Sequence, residues 1–342
     1  MKVCDKCFND IEIKQYIIST SKEIGKCDCC SESSSLIDIE ELLDFFSSFL
    51  SIFAPKENGY SLIKLIQEEW KVFENEKAGL IILQEVFPKM DFPKDEFGNY
   101  NSTIKVDYVE EISQCVNYWS ILKEDLKTKR RFLTDIHKMD EYQWSNLFNV
   151  FAIINSTNML YRARINQEGK KESYLIEEMG APKGVVVSAG RANPQGIPYL
   201  YLSKEKETTL YETRATYLDL VSIGQFQIDP ETEIKIVDFT SCESPFNHME
   251  NMIDFTKGRL LRDLISKDLS KPLQRFDSEL EYIPTQFICE FIKYNTETNG
   301  IQFKSSLDQN GVNIVLFDDE NINCVKVELH QVSDIKITSK IL

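Results

Sequence analysis

Histidine is scarce in this chain. There are three in 342 residues, His137, His248 and His330, and none shares a motif with a serine. A Ser-His-Asp hydrolase is therefore poorly supported. The Gly-x-Gly-x-x-Gly and Gly-x-x-x-x-Gly-Lys-Ser/Thr phosphate loops are both absent, which argues against a Rossmann oxidoreductase and a P-loop ATPase. No apolar run reaches the ~18 residues that cross a bilayer. The opening Met1-Lys2-Val3-Cys4-Asp5 lacks the apolar region of a secretory signal. Together these predict a cytoplasmic protein without a membrane partner. Positive charge is also short, with 39 Lys and Arg against 55 Asp and Glu, for a net charge of −16. Phosphate backbones repel such a chain at long range, so nucleic acid is a poor default partner. Any anionic small molecule must be held by local arginines.

What is present divides the chain into three textures. Five of the nine cysteines fall in the first 30 residues. Cys4-x-x-Cys7 and Cys27-x-x-Cys30 are two knuckles that together offer four thiolates, the shell that structural zinc favours. Four thiolates leave no open position for water, so the expected Zn2+ is structural. Cys29 offers an alternative pairing. Cys115, Cys242, Cys289 and Cys324 are scattered and read as small hydrophobes. The zinc-binding segment is expected over 1–35.

An all-α domain is expected over 36–148. Leu36, Ile37, Ile39, Leu42, Leu43, Phe45 and Phe46 recur at helical spacing, as do apolar residues over 60–73, 79–87 and 106–126. Residues 91–103, rich in Pro, Gly and Asn, read as a loop. Arg130-Arg131 and His137 match the loose spacing of the ribonucleases of the HEPN class, where Arg and His share a face and His acts as acid or base. The active family usually has a polar residue after the Arg, and here Phe132 follows Arg131. A catalytically silent HEPN-like module is the better reading.

From about residue 150, strand-like runs alternate with turns and short helices, which predicts an α+β domain over 149–342. Strands are expected over 184–188, 199–202, 220–226, 233–239, 285–294, 313–317 and 324–329, and helices over 204–217, 249–267 and 273–280. Within this domain, Gly190-Arg191-Ala192-Asn193-Pro194-Gln195-Gly196-Ile197-Pro198-Tyr199-Leu200-Tyr201-Leu202-Ser203 is followed by Thr208-Thr209-Leu210-Tyr211-Glu212. The stretch sets a guanidinium, a turn, an aromatic strand and a carboxylate in order. An Arg can hold phosphate bidentately, a Tyr offers a stacking face, and a Glu can steady a developing cation. Those are the groups needed to grip a dinucleotide and break its glycosidic bond.

The flanks carry further segments. Leu160-Tyr161-Arg162-Ala163-Arg164 and Glu178-Met179-Gly180-Ala181-Pro182 precede it. Tyr282-Ile283-Pro284-Thr285-Gln286, Gly300-Ile301-Gln302-Phe303-Lys304-Ser305-Ser306 and Asn313-Ile314-Val315-Leu316-Phe317 follow. Taken in order, these segments resemble the RES domain family over roughly residues 150–330. That family is named for an Arg, a Glu and a Ser. The resemblance implies the split mixed sheet of ADP-ribosylating toxins with a cleft for NAD+ as substrate.

By the same resemblance Arg162 is the family's Arg and clamps the pyrophosphate. Arg164 falls on the same strand face and assists it. Arg191 is either a second phosphate ligand or the pin of the Asn193-Pro194 turn. Tyr201 lines the nicotinamide side, or else belongs to the core. Glu212 is the family's Glu and faces the oxocarbenium-like sugar; the alternative is a surface salt bridge with Arg214 or Lys206. Ser305, rather than Ser306, is the family's Ser and hydrogen-bonds the nicotinamide amide or the ribose. The expected function is NAD+ cleavage at the nicotinamide–ribose bond, by hydrolysis or phosphorolysis, in a toxin or antiphage effector. An antitoxin or regulatory protein is the implied partner, and a homo-oligomer is left open. The alternatives are ADP-ribosyl transfer to a protein or RNA, and a non-catalytic zinc and helical interaction module.

Overall fold

Why the chain turns where it does is visible in a computed structural model describing residues 1–90, 104–134, 136–182, 187–271, 279–308 and 310–335. The loop expected over 91–103 lies outside those residues, as do most of the strand expected over 184–188 and most of the helix expected over 273–280. The described residues group into two units, one of 1–117 with 242–257 and one of 118–241 with 258–342.

In the first unit, β1 (Lys2–Cys4), β2 (Glu23–Lys26) and β3 (Ser33–Asp38) form an antiparallel sheet in the order β1-β3-β2. Asp10 caps the helix Ile11–Thr20 by accepting from the Ile13 amide. The expectation of helices alone after residue 35 needs correction. Leu36 and Ile37 belong to β3, and β4 (Phe53–Ser61) pairs with β5 (Lys105–Tyr108). Helical spacing of apolar residues misled here because β4 is interrupted. Its register shifts between Pro55 and Tyr60, around Asn58-Gly59, so no clean alternation survives in the sequence. A Cβ on Gly59 would collide with the Val106 carbonyl, so this close approach requires glycine. The expected helices are otherwise present as Leu43–Leu50, Leu62–Leu65 running into a π-turn, Glu76–Val86 and Glu110–Thr128. Phe45, Phe46, Phe49, Phe73 and Trp70 fill the core between them.

The second unit is built on an eight-stranded mixed sheet. Its strands are β6 (Phe151–Asn155), β7 (Met159–Ile165), β8 (Leu200–Ser203), β9 (Leu220–Ile228), β10 (Glu233–Asp238), β11 (Gly300–Lys304), β12 (Val312–Leu316) and β13 (Ile322–Gln331). The order is β13-β9-β7-β8-β12-β11-β10-β6. β10 and β11 run parallel, and the other paired neighbours run antiparallel. β7 and β8 share a single pair, Tyr161 with Ser203, so the sheet is two halves joined at one point.

One segment expected as strand is a helix, Ile283–Asn295. Its β-branched and aromatic residues read as strand, but Thr285, Ile288, Cys289 and Ile292 are the buried set, at helical spacing. Pro284 in the first turn fits the helix start, where its missing N–H costs nothing. The helix expected over 204–217 closes early, as Lys206–Glu212.

Candidate active site

Register across the sheet builds the floor of the site. Tyr161 pairs with Ser203, Ser203 with Asn313, and Asn313 with Phe303. Side chains of residues paired across strands point to the same face. The four therefore form one row, and all four line a cleft of about 730 Å3. The other face of these strands carries Leu160, Leu200, Leu202, Ile314 and Leu316 into the apolar core. The cleft is of the size that takes a nucleotide-sized ligand, within the usual range of roughly 300–1,000 Å3.

The helix Lys206–Glu212 follows β8 and brings Thr209 and Glu212 to the cleft. Glu212 is held from one side. Its Oε1 accepts from Ser305 Oγ at 2.8 Å and from Asn313 Nδ2 at 2.7 Å. Its Oε2 lies 4.0 Å from Arg191 Nη1. The surface pairing weighed for Glu212 with Lys206 is not formed, because Lys206 pairs with Glu328 at 2.8 Å. Ser305 is buried and does not line the cleft. Its hydroxyl accepts from the amides of Leu307 and Asp308 at 3.1 and 3.2 Å while donating to Glu212. The serine thus braces the carboxylate.

Arg191 does two things at once. It lines the cleft, and its Nη1 donates to the carbonyls of Leu269 and Ser270, each at 3.2 Å. Those carbonyls close the helix Met252–Ser270, an end that favours a cation. Thr285 Oγ1 donates to the Arg191 carbonyl at 2.6 Å, and Gln286 Nε2 donates to the Gly190 carbonyl at 2.8 Å. The first turn of Ile283–Asn295 therefore fixes the loop that presents Arg191.

Tyr201 also lines the cleft. Its hydroxyl donates to Asn193 Oδ1 at 2.7 Å and accepts from the Ala192 amide at 3.0 Å. Burial pushes that hydroxyl above the ordinary tyrosine range, so it remains protonated. Pinning of the turn at Asn193, one of two roles weighed for Arg191, belongs to Tyr201.

Arg162 lines the cleft and is half-buried. Its Nη1 donates to the carbonyls of Met179, at 3.1 Å, and Gly180. Burial, with the charge of Arg164 beside it, pushes the Arg162 guanidinium down to about 10. It is still a cation at neutral pH. Arg164 is exposed, stacks 4.0 Å over the Tyr174 ring and donates to the Glu178 carbonyl at 2.9 Å. It does not line the cleft.

Arg162, Arg191, Tyr201 and Glu212 thus meet in one cleft, Ser305 stands directly behind Glu212, and Arg164 lies outside. Ser203, Asn313, Asn193 and Tyr282 had no assigned role from sequence. Ser203 and Asn313 carried a signal, as polar residues at the ends of apolar strands, where an unpaired polar group is costly. Asn193 sat within the turn already singled out. Chemically, a fixed carboxylate can stabilise a cation developing in a substrate, and the guanidinium groups can hold phosphate.

In the first unit, the Sγ atoms of Cys4, Cys7, Cys27 and Cys30 all lie within 4.8 Å of one another. Cys4 is 3.8 Å from Cys7 and 3.5 Å from Cys30, and Cys7 is 3.5 Å from Cys27. A tetrahedral ion with bonds of ~2.3 Å to sulfur sets its ligands ~3.8 Å apart. The donor set therefore fits a metal of that geometry. Cys29 is not one of the four, and its Sγ points to the Ala78 carbonyl at 3.8 Å. The Arg131 and His137 spacing does not fall on one helix. Glu110–Thr128 ends before Arg131, and His137 opens a separate helix, His137–Glu141.

The halves of the sheet in this α+β fold meet beside a braced carboxylate and three arginines that line the cleft, Arg162, Arg191 and Arg214. The RES domain family matches residues 159–337, and the chain belongs to that family. No curated protein matches the chain. Among solved structures, one titled as the M. tuberculosis MbcT-MbcA toxin-antitoxin complex is similar to 52% of this chain and 84% of that chain. The identity is 14% and the TM-score 0.31.

Proposed function

We propose that this protein degrades NAD+ by cleaving the nicotinamide–ribose bond in the 730 Å3 cleft. The observation that carries the reading is Glu212, a carboxylate at the cleft with one oxygen braced by Ser305 and Asn313. Membership of the RES family supports it. In the reaction the bond between the ribose anomeric carbon and the pyridinium nitrogen breaks. The electron pair stays on nitrogen, and neutral nicotinamide leaves. The sugar takes on oxocarbenium character, which the Glu212 carboxylate stabilises. Water then adds to give ADP-ribose and one proton, or phosphate adds to give the anomeric phosphate. Arg162 and Arg191 hold the pyrophosphate, and Tyr201 borders the nicotinamide.

The protein acts as a toxin or antiphage effector restrained by an antitoxin or regulatory protein. Structural Zn2+ occupies Cys4, Cys7, Cys27 and Cys30, a reading supported by the sulfur spacing. The chemistry belongs to 149–342.

Purified protein mixed with NAD+ should release nicotinamide. Product analysis with and without phosphate distinguishes hydrolysis from phosphorolysis. Label transferred from NAD+ to protein or RNA would instead indicate ADP-ribosyl transfer. No nicotinamide release under any of these conditions would sink the reading.

A further inference from the structure

Glu212 is aimed by a relay that runs across the sheet. Ser203, on β8, and Asn313, on β12, are register partners, and both are buried. Ser203 Oγ donates to Asn313 Oδ1 at 2.8 Å. An Asn side chain has one carbonyl end and one donor end, and nothing in its shape distinguishes them. The Glu212 carboxylate, which only accepts, requires the donor end, and the Ser203 hydroxyl, which can donate, fills the carbonyl end. With Oδ1 occupied, Nδ2 is the end presented to Glu212, and it donates to Oε1 at 2.7 Å. Reversing the amide would set two oxygens against each other in a buried place, which is costly.

The second brace, Ser305, reaches the same oxygen. Both donors therefore converge on Oε1, while Oε2 is the oxygen near Arg191. We propose that Asn313, held at its carbonyl end by Ser203, is a positioning residue that fixes which oxygen of Glu212 meets the substrate. Its donor keeps the carboxylate in one rotamer as the sugar charge develops. The two sheet residues act in series, and Ser203 acts on Glu212 only through Asn313. This inference rests on the NAD+ reading for its kinetic consequence but not for the relay itself.

A double-mutant cycle tests it. Asn313→Leu removes the donor at similar volume. It should lower kcat for nicotinamide release by roughly tenfold to a hundredfold, the cost of a misaimed group. KM for NAD+ should stay within about twofold, because the carboxylate contributes to the transition state rather than to ground-state binding. Ser203→Ala should lower kcat by a smaller factor, and Ser203→Thr, which keeps the hydroxyl, should restore it. The double variant should be no slower than Asn313→Leu alone, because residues acting in series are not additive. Effects that multiply, or a loss that appears in KM, would overturn the proposal.

Should the wild-type protein leave NAD+ intact, the NAD+ reading fails by itself. The relay is then read from the side-chain amide resonances of Asn313. They should shift in both Glu212→Gln and Ser203→Ala, and resonances unmoved by either change would overturn it.

Discussion

Arg191 and Glu212 approach to 4.0 Å at the cleft, and the arginine is anchored from behind by the carbonyls of Leu269 and Ser270. The guanidinium therefore links a helix end to the carboxylate. Arg191→Ala should lower both thermal stability and NAD+ affinity. Hydrogen bonds from a charged donor contribute roughly 1.5–3 kcal/mol, so melting should show a loss of about that size. Arg191→Lys should recover part of each, because an ammonium cannot satisfy carbonyls and carboxylate in one plane. An unchanged melting temperature would show that the helix end does not need this side chain.

Glu212→Gln keeps size and hydrogen-bonding capacity but removes the charge. Turnover of NAD+ should fall by ~10²–10³, the usual cost of losing one preorganised electrostatic partner. Binding of NAD+, measured by calorimetry, should change little. Near-normal turnover would mean that another carboxylate serves the reaction.

Arg162→Ala should behave differently. The pyrophosphate is charged before and during the reaction, so its ligand contributes to the ground state as well. Weaker binding and slower turnover should appear together, and Arg162→Lys should rescue only partly. Stability should also fall, since Nη1 holds the Met179 and Gly180 carbonyls. Normal NAD+ affinity in Arg162→Ala, with affinity lost in Arg191→Ala, would transfer the phosphate role to Arg191.

Gly190→Ala tests the packing of the loop. A Cβ there would sit 2.5 Å from the Tyr201 hydroxyl and collide with Asn193 Oδ1. Overpacking of this kind costs about 1–3 kcal/mol. Adding Tyr201→Phe should relieve only part of the loss, because the Asn193 contact remains. Full recovery in the double variant would show that the asparagine can yield.

Metal analysis of the purified protein should find about one zinc per chain. Replacing Cys27 and Cys30 with serine should release it and lower the melting temperature. Nicotinamide release should be affected far less than by Glu212→Gln. Metal-free protein with an unchanged melting curve would remove the structural role.

The sequence was a good guide where a residue's chemistry stood out against its surroundings. Arg162, Arg191, Tyr201 and Glu212 were legible as polar or charged groups beside turns and short apolar runs, and they meet in the cleft. The role of Ser305 was legible only in part. The residue was found. Its bonds to the Leu307 and Asp308 amides are local, but its bond to Glu212 depends on a helix 93 residues away. Arg164 was placed on the correct strand, yet the Tyr174 ring draws it off the cleft. The strands β6 and β11 were missed as strands, and the segment 285–294 was read as strand rather than helix. β11 is buried on both faces and so carries no clear period, β6 is a short run with only Ile154 buried, and the β-branched and aromatic residues of 285–294 suit a strand as well as a helix. Register was out of reach altogether, and with it the pairing of Ser203 with Asn313.

The row Tyr161, Ser203, Asn313 and Phe303 draws on four strands from distant parts of the chain. Along the chain, β8 ends about a hundred residues and β7 well over a hundred residues before β12 begins. Until β12 inserts between β8 and β11, the floor is missing and Glu212 lacks its Asn313 donor. A chain stopped short of residue 313 lacks both that row and the Asn313 donor that braces Glu212. Under the NAD+-degrading function proposed above, the order of strands along the chain therefore delays activity until β12 has been made.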